Sequence, residues 1–207
     1  MRLNNNLLQV FMLLRSKSDN AYLVGGCVRD YLCQKTPKDF DIVTDIPMDT
    51  IEDIFTKNGW TVDAVGKQFL VMFVSKNGEQ YEISNFRKDG LYSDGRRPDV
   101  VSIGTLEEDA ARRDFTINSI YYDPIDDVFV DPNNGRMDVE SRTLRFIGRP
   151  KDRIREDYLR IFRFFRFLTK GFKPDKKSLK ACRELFNEAY LHTTPERVRM
   201  EIERMVL

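Results

Sequence analysis

The 207-residue sequence predicts an α+β protein: a mixed sheet with flanking helices over residues 1–148, then helices alone over 149–207. Three observations lead there. Short apolar runs bounded by Gly, Asn and Pro alternate with helical stretches up to about residue 147. Beyond that point only helical patterns remain. Charge divides near the same place: residues 145–180 hold thirteen Lys and Arg against four Asp and Glu, and the residues before them are net negative.

The elements follow in order. Residues 4–17 read as an amphipathic helix capped by Asn4 or Asn5. Residues 21–26 (AYLVGG) read as a short buried strand ending in a glycine pair, and Cys27 to Cys33 continue as a short helix. Phe40 to Val43 read as a strand, and Met48 to Asn58 as a helix starting after Pro47. Strands are expected at 60–65, 69–75 and 79–86, the last two joined at Asn77-Gly78, a hairpin signal. Residues 87–99 are rich in Gly and charge and lack an apolar period, so a mobile loop is expected. Residues 106–122 begin as helix and end as strand. A short helix after Asn133-Asn134-Gly135, a strand near 143–147, and helices at 153–171, 174–190 and 195 onward complete the reading. The apolar end at Met205-Val206-Leu207 suggests a truncated chain, missing further helices, or a naturally minimal protein.

Composition narrows the class. Hydrophobic residues at 41% and charged residues at 32% suit a soluble globular protein. No apolar run approaches the roughly 18–20 residues of a membrane span, and the N-terminus lacks a small-residue cleavage site. Cys27, Cys33 and Cys182 form no CxxC pair, so neither a zinc site nor a disulfide framework is expected, and a reducing, cytoplasmic location fits best. An acidic front and basic back suit metal ions in one part and nucleic acid or nucleotide phosphates in the other.

The chemistry concentrates in LVGGCVRDYLCQKTPKDFDIV, residues 23–43. Gly25 and Gly26 sit where a strand turns into a helix, leaving backbone N–H groups open to a phosphate. Arg29, one turn in, adds a cation. Asp39 and Asp41 flank Phe40, and on a strand positions two apart point to one face. Two neighbouring carboxylates repel unless cations neutralise them. Mg²⁺ is the natural partner, held by a few carboxylates and substrate phosphates.

This segment, as GGxVRDxL followed by DFDI, resembles the signature of the DNA polymerase β-type nucleotidyltransferases. Within them it resembles the class II branch of CCA-adding enzymes and bacterial poly(A) polymerases. The resemblance spans about residues 21–205 and implies a polymerase-β-like head over 1–148 and a helical neck over 149–207, with body and tail absent. YEISNFR (81–87) resembles the segment that adds a third carboxylate, at Glu82. YSDGRRPDVV (92–101) resembles a flexible loop that positions the incoming nucleotide. EEDAARRDFTINSIYYD (107–123) implies Arg113 at the triphosphate and Asp114 and Asn118 near the ribose, with Ser119 where relatives usually have Ala. HTTPERVRMEIERM (192–205) resembles a structural neck helix, and His192, the sole histidine, is expected to have a structural or surface role.

REDYLRIFRFFRF (155–167) carries Asp157, Arg160, Arg163 and Arg166 every third residue among apolar positions. A helix this apolar is mostly buried, so its charge stripe needs partners. A nucleotide supplies them: a base edge for Asp157 and Arg160, phosphates for Arg163 and Arg166. The block resembles the family's EDxxR segment, whose Asp and first Arg act as a protein template.

The activity implied is template-independent addition of C and A to the tRNA 3′ end from CTP and ATP. Two Mg²⁺ ions held by Asp39 and Asp41, with Glu82 assisting, would serve it. Poly(A) polymerase and CC-adding or A-adding specialists share these motifs, and a catalytically silent RNA-binding module would require loss of the acids that are present.

Overall fold

A computed structural model describes the chain apart from residues 2, 93–95, 97 and 207. The first helix, α1 (Asn5–Arg15), is capped by Asn4, whose side chain accepts from the Leu7 amide. β1 (Ala21–Val24), α2 (Gly26–Leu32), β2 (Asp41–Thr44) and α3 (Met48–Lys57) follow. β3 (Thr61–Asp63) leads through a 3₁₀ turn to the hairpin of β4 (Val71–Lys76) and β5 (Glu79–Asn85). The turn places Asn77 and Gly78 at positive φ, as the Asn-Gly pair predicts.

Residues 87–99 depart from expectation. Arg87–Asp89 form β6, paired antiparallel with β7 (Val101–Ile103), and the Tyr92 hydroxyl donates to Asp89 at 2.5 Å. Backbone pairing needs no apolar period, so composition hid this ribbon. Residues 93–95 and 97 of the expected nucleotide-positioning loop lie outside the described residues. Next come α4 (Leu106–Arg112), opened by a Thr105–Glu108 capping box, then a 3₁₀ turn at Thr116–Asn118 and β8 (Tyr121–Asp123). β9 (Val128–Val130) was not anticipated, being three residues long.

Among the described residues β3-β4-β5-β2-β1-β8-β9 form one sheet, parallel only between β2 and β5. α1 and α3 bury Leu7, Phe11, Ile51 and Phe55 against Leu23, Ile42, Met72 and Ile83 on one face. α4 covers part of the other through Leu106 and Ala110 against Val24, Val43 and Tyr121.

After α5 (Gly135–Glu140) and a parallel bridge of β10 (Thr143–Leu144) with β11 (Lys173–Pro174), the remainder is helical. The single helix expected at 153–171 is two: α6 (Pro150–Glu156) and α7 (Leu159–Thr169). Asp157 between them is extended, and its carboxylate accepts from the Leu159 amide. A side chain that captures a backbone N–H competes with helix continuation. The helix expected at 174–190 likewise divides into α8 (Lys176–Glu184) and α9 (Phe186–His192), before α10 (Pro195–Val206). α7 joins the sheet-bearing part through Phe164, stacked on Phe146 at 5.5 Å, and Phe167, edge-on to Phe115 at 5.5 Å. His192 is exposed and stacks on Tyr158 at 5.0 Å. Among the described residues no helix is long and apolar enough to cross a membrane.

Gly135 is where α5 meets the 3₁₀ turn that carries Asn118. A Cβ there would lie 2.1 Å from the Thr116 carbonyl oxygen and 2.8 Å from Ile120. Gly135→Ala should therefore cost about 3 kcal/mol or more, as overpacking against backbone does, measured by urea denaturation. A variant as stable as wild type would show that α5 does not abut this turn.

Candidate active site

Three neighbouring strands build the floor of the site. Val24 pairs with Asp41, and Asp41 with Glu82. Asp39 precedes the strand instead of lying on it, because β2 begins at Asp41. Both aspartates nonetheless line the same two pockets. Gly25 turns out of β1 with φ +77°, and a Cβ there would stand 3.5 Å from Asp41 Oδ2 and 3.7 Å from Arg113 Nη1. Only glycine combines that φ with so open a backbone.

Among the described residues the side chains of Asp39, Asp41 and Glu82 have no hydrogen-bond or ion-pair partner in the protein. Burial pushes the Asp41 carboxyl above the usual carboxylate range although part of it opens to solvent; Arg113 and Arg29 oppose this, and Asp39 adds to it. Burial and Asp41 raise Glu82, against Arg113. Oxygen donors left unpaired and held against their charge suit a hard divalent cation. Among the described residues no three His, Cys, Asp or Glu are gathered into a complete metal cage. The fit is therefore a pair of carboxylates completed by ligand oxygens.

Opposite stands a wall of arginines, each anchored. Asp109, fully buried in α4, divides its oxygens between two of them. Oδ1 accepts from Arg112 at 2.9 and 2.6 Å; Oδ2 accepts from Arg113 at 3.0 and 2.8 Å and from the Tyr121 hydroxyl at 2.6 Å. Burial opposes the charge on Asp109, but Arg113 and Arg112 outweigh it and hold the carboxyl below the usual range. Arg29 Nη1 donates to Asn118 Oδ1 at 2.7 Å, and Asn118 donates to Asp114 at 2.9 Å. Arg163 donates to Asp114 Oδ2 through two nitrogens, at 2.8 and 2.6 Å.

The stripe on α7 corrects the sequence reading twice. Its arginines already have carboxylate partners: Glu156 for Arg160, Asp114 for Arg163 and Glu201 for Arg166. Asp157 lies in the break before α7 and pairs with Arg197 at 3.1 Å, so it does not continue the helical stripe. Arg160 is buried, and donates also to the carbonyls of Arg153 and Arg112 at 2.9 and 3.0 Å. Removing it therefore costs folding energy as well as any contact with a ligand.

Gly25, Gly26, Arg29, Asp39, Asp41, Arg113, Asp114, Asn118, Asp157, Arg160, Arg163 and Arg166 all line one open cleft of about 700 Å³. Glu82 lies instead in an adjoining pocket of about 280 Å³, which shares Asp39 and Asp41. The cleft also takes Arg112, Phe167, Arg197 and Arg204, which sequence reasoning missed. Arg29 and Arg166 sit over the Phe167 ring at 4.9 and 4.7 Å. Asp109 was missed as well, although its spacing of three and four residues from Arg112 and Arg113 is that of helical ion pairs.

The sequence profile of the poly A polymerase head domain matches residues 21–145. The chain belongs to that family. Its relatives in the family include a CCA-adding enzyme of Listeria monocytogenes, 37% identical over 203 residues, covering 96% of this chain and 50% of the relative. Poly(A) polymerase I of Haemophilus influenzae is 35% identical over 195 residues, covering 88% and 42%. Among solved structures, the Bacillus stearothermophilus CCA-adding enzyme in complex with CTP superposes with a TM-score of 0.83 at 32% identity, over 96% of this chain and 47% of that one. The chain thus spans about half the length of the family members it matches.

The Asp114–Arg163 pair gives this family member a measurable acid sensitivity. Burial opposes ionisation of Asp114, but Arg163 and Asn118 pull its pKa from 3.8 down to about 2. A depressed folded-state value means the stabilisation is fully present above pH 4 and fades as pH falls toward 2. The gap in unfolding free energy between wild type and Asp114→Asn should narrow across that window, by about 2 kcal/mol in full. A gap independent of pH in urea titrations would show that Arg163 does not hold this charge.

Proposed function

We propose that the chain is the catalytic head (1–148) and nucleotide-selecting neck (149–207) of a template-independent nucleotidyltransferase. It adds C, A or both to the 3′ end of tRNA from CTP and ATP. The observation that carries this is the meeting of the Gly25 turn, the unpartnered Asp39 and Asp41 and the anchored arginines in one open cleft. The names of its relatives, and the CTP held by the Bacillus stearothermophilus enzyme, support the same reading.

In the reaction the RNA 3′-oxygen attacks the α-phosphorus of the nucleotide. A new P–O bond forms, the bond to the bridging oxygen breaks, and pyrophosphate leaves. Two Mg²⁺ ions held by Asp39 and Asp41, with Glu82 assisting, would supply the neutralising charge at the attacking and leaving oxygens. The backbone at Gly25 and Gly26, with Arg113 and Arg29, receives the triphosphate. Asp114 and Asn118 face the ribose. Asp157 and Arg160 offer a hydrogen-bonding edge to the base, and Arg160, fixed from behind, presents it in one orientation. Arg163 and Arg166, already paired, set the positive potential of the wall.

The decisive experiment supplies tRNA lacking its terminal CCA, with Mg²⁺ and CTP, ATP or both. Ordered addition of C then A is the expected product. Long products from ATP alone would instead indicate poly(A) synthesis, which the Haemophilus influenzae relative makes the competing activity to check. Asp39→Ala and Asp41→Ala should each lower incorporation by roughly 10³-fold, with melting temperatures no lower than wild type. Turnover by either variant at the wild-type rate contradicts the assignment.

A further inference from the structure

Part of the sheet face that carries the acids stays partly exposed. α4 packs over Val24, Val43 and Tyr121. Over β3, β4 and β5, by contrast, Asp63, Phe73, Ser75, Gln80, Glu82 and Ser84 alternate toward that face, and none is buried. Register lines up Asp63, Phe73, Glu82 and Asp41 in one row across four strands. Phe73 is half-buried, and among the described residues it belongs to neither hydrophobic cluster.

The 280 Å³ pocket opens on this row, with Phe40, Phe73 and Gln80 beside the three carboxylates. Asp39 and Asp41 also line the arginine-walled cleft, so the two aspartates are a shared wall between two chambers of opposite chemistry. The cleft is basic. Among the described residues that line the second pocket there is no Lys or Arg, and it offers a phenyl face, an amide and acids.

We propose that this second pocket is the acceptor subsite, which takes the unpaired 3′-terminal nucleoside of the RNA with its base against Phe73. The proposal rests on the nucleotidyl-transfer reading above. An acidic pocket repels phosphate, and the terminal nucleoside is the part of an RNA strand that carries no phosphate on its 3′-oxygen. A phenyl ring stacks on any base with similar strength. That tolerance is required when the acceptor's last base changes after each addition. Gln80 can donate to or accept from a ribose or base edge. Phe73 stands two strands from Asp41, roughly 10 Å, which is the length scale of one nucleoside.

The test is equilibrium binding of a short single-stranded RNA carrying 2-aminopurine at its 3′ end, followed by fluorescence without any nucleotide present. Wild type should quench the 3′ probe and leave the same probe at the 5′ end bright. Phe73→Ala and Phe73→Leu should weaken binding about tenfold, within the range of a lost base stack. Phe73→Tyr should restore it, and CTP affinity should be unchanged in all three. The proposal is overturned if Phe73→Ala binds like wild type, if Phe73→Leu matches Phe73→Tyr, if CTP affinity falls in parallel, or if the 5′ probe is quenched equally. If wild type incorporates neither CTP nor ATP while the quenching pattern holds, the transfer reading falls and the 3′-end site stands.

Discussion

Taking an ion out of water costs free energy unless an opposite charge or ordered donors replace its hydration. The architecture around the cleft answers that constraint unequally. Arg112 and Arg113 share the buried Asp109, Arg160 rests on Glu156, Arg163 on Asp114 and Arg166 on Glu201. The carboxylates of Asp39, Asp41 and Glu82 are given no such partner, and burial raises two of them. The asymmetry separates function from scaffolding. Matched arginines keep the wall in place whatever the cleft contains, and unmatched acids keep a standing affinity for positive charge.

The sheet supplies the distances. The parallel pairing of β2 with β5 places Asp41 beside Glu82. The antiparallel pairing of β1 with β2 puts Val24, and therefore the Gly25 turn, on the other side of Asp41. Hydrogen-bonded register fixes these neighbours more rigidly than loops could. α7 completes the cleft from outside the sheet, and its place depends on the Phe115, Phe146, Phe164 and Phe167 contacts. A cavity in that aromatic cluster would therefore disturb the arginine wall without touching a charged residue.

What the sequence discloses and what it conceals divide along physical lines. Period and punctuation disclose α1, α3, the β4–β5 hairpin and the outward face of Glu82, because burial imposes alternation locally. The glycine turn and the two aspartates are legible because few backbones tolerate such residues together. The break at Asp157 is concealed, since residues 153–171 are helical in pattern, and only the capture of the Leu159 amide and the pairing with Arg197 end the helix there. The ribbon of β6 and β7 is concealed for the opposite reason: its strands are three residues each, too short to show a period, and backbone pairing holds them. The partners of Arg163 and Arg166 lie 49 and 35 residues away. A local pattern therefore shows that those charges need partners without showing which carboxylates meet them.

That correction bears on how a protein surface can choose between bases without a nucleic-acid template. A selecting group loses discrimination if it can rotate to follow whichever base arrives, because each wrong base then finds a compensating hydrogen bond. Arg160 donates to Glu156 and to two backbone carbonyls, one from the preceding helix and one from the end of α4. Its guanidinium is tied to both parts of the chain before any nucleotide enters. Asp157 is similarly tied, between the Leu159 amide and Arg197. On the proposed reading a mismatched base meets an edge that cannot turn to meet it, and leaves polar groups unpaired at a cost of about 1–3 kcal/mol each. The pairing that fixes these two residues before any nucleotide enters is thus what equips them to act as a rigid edge.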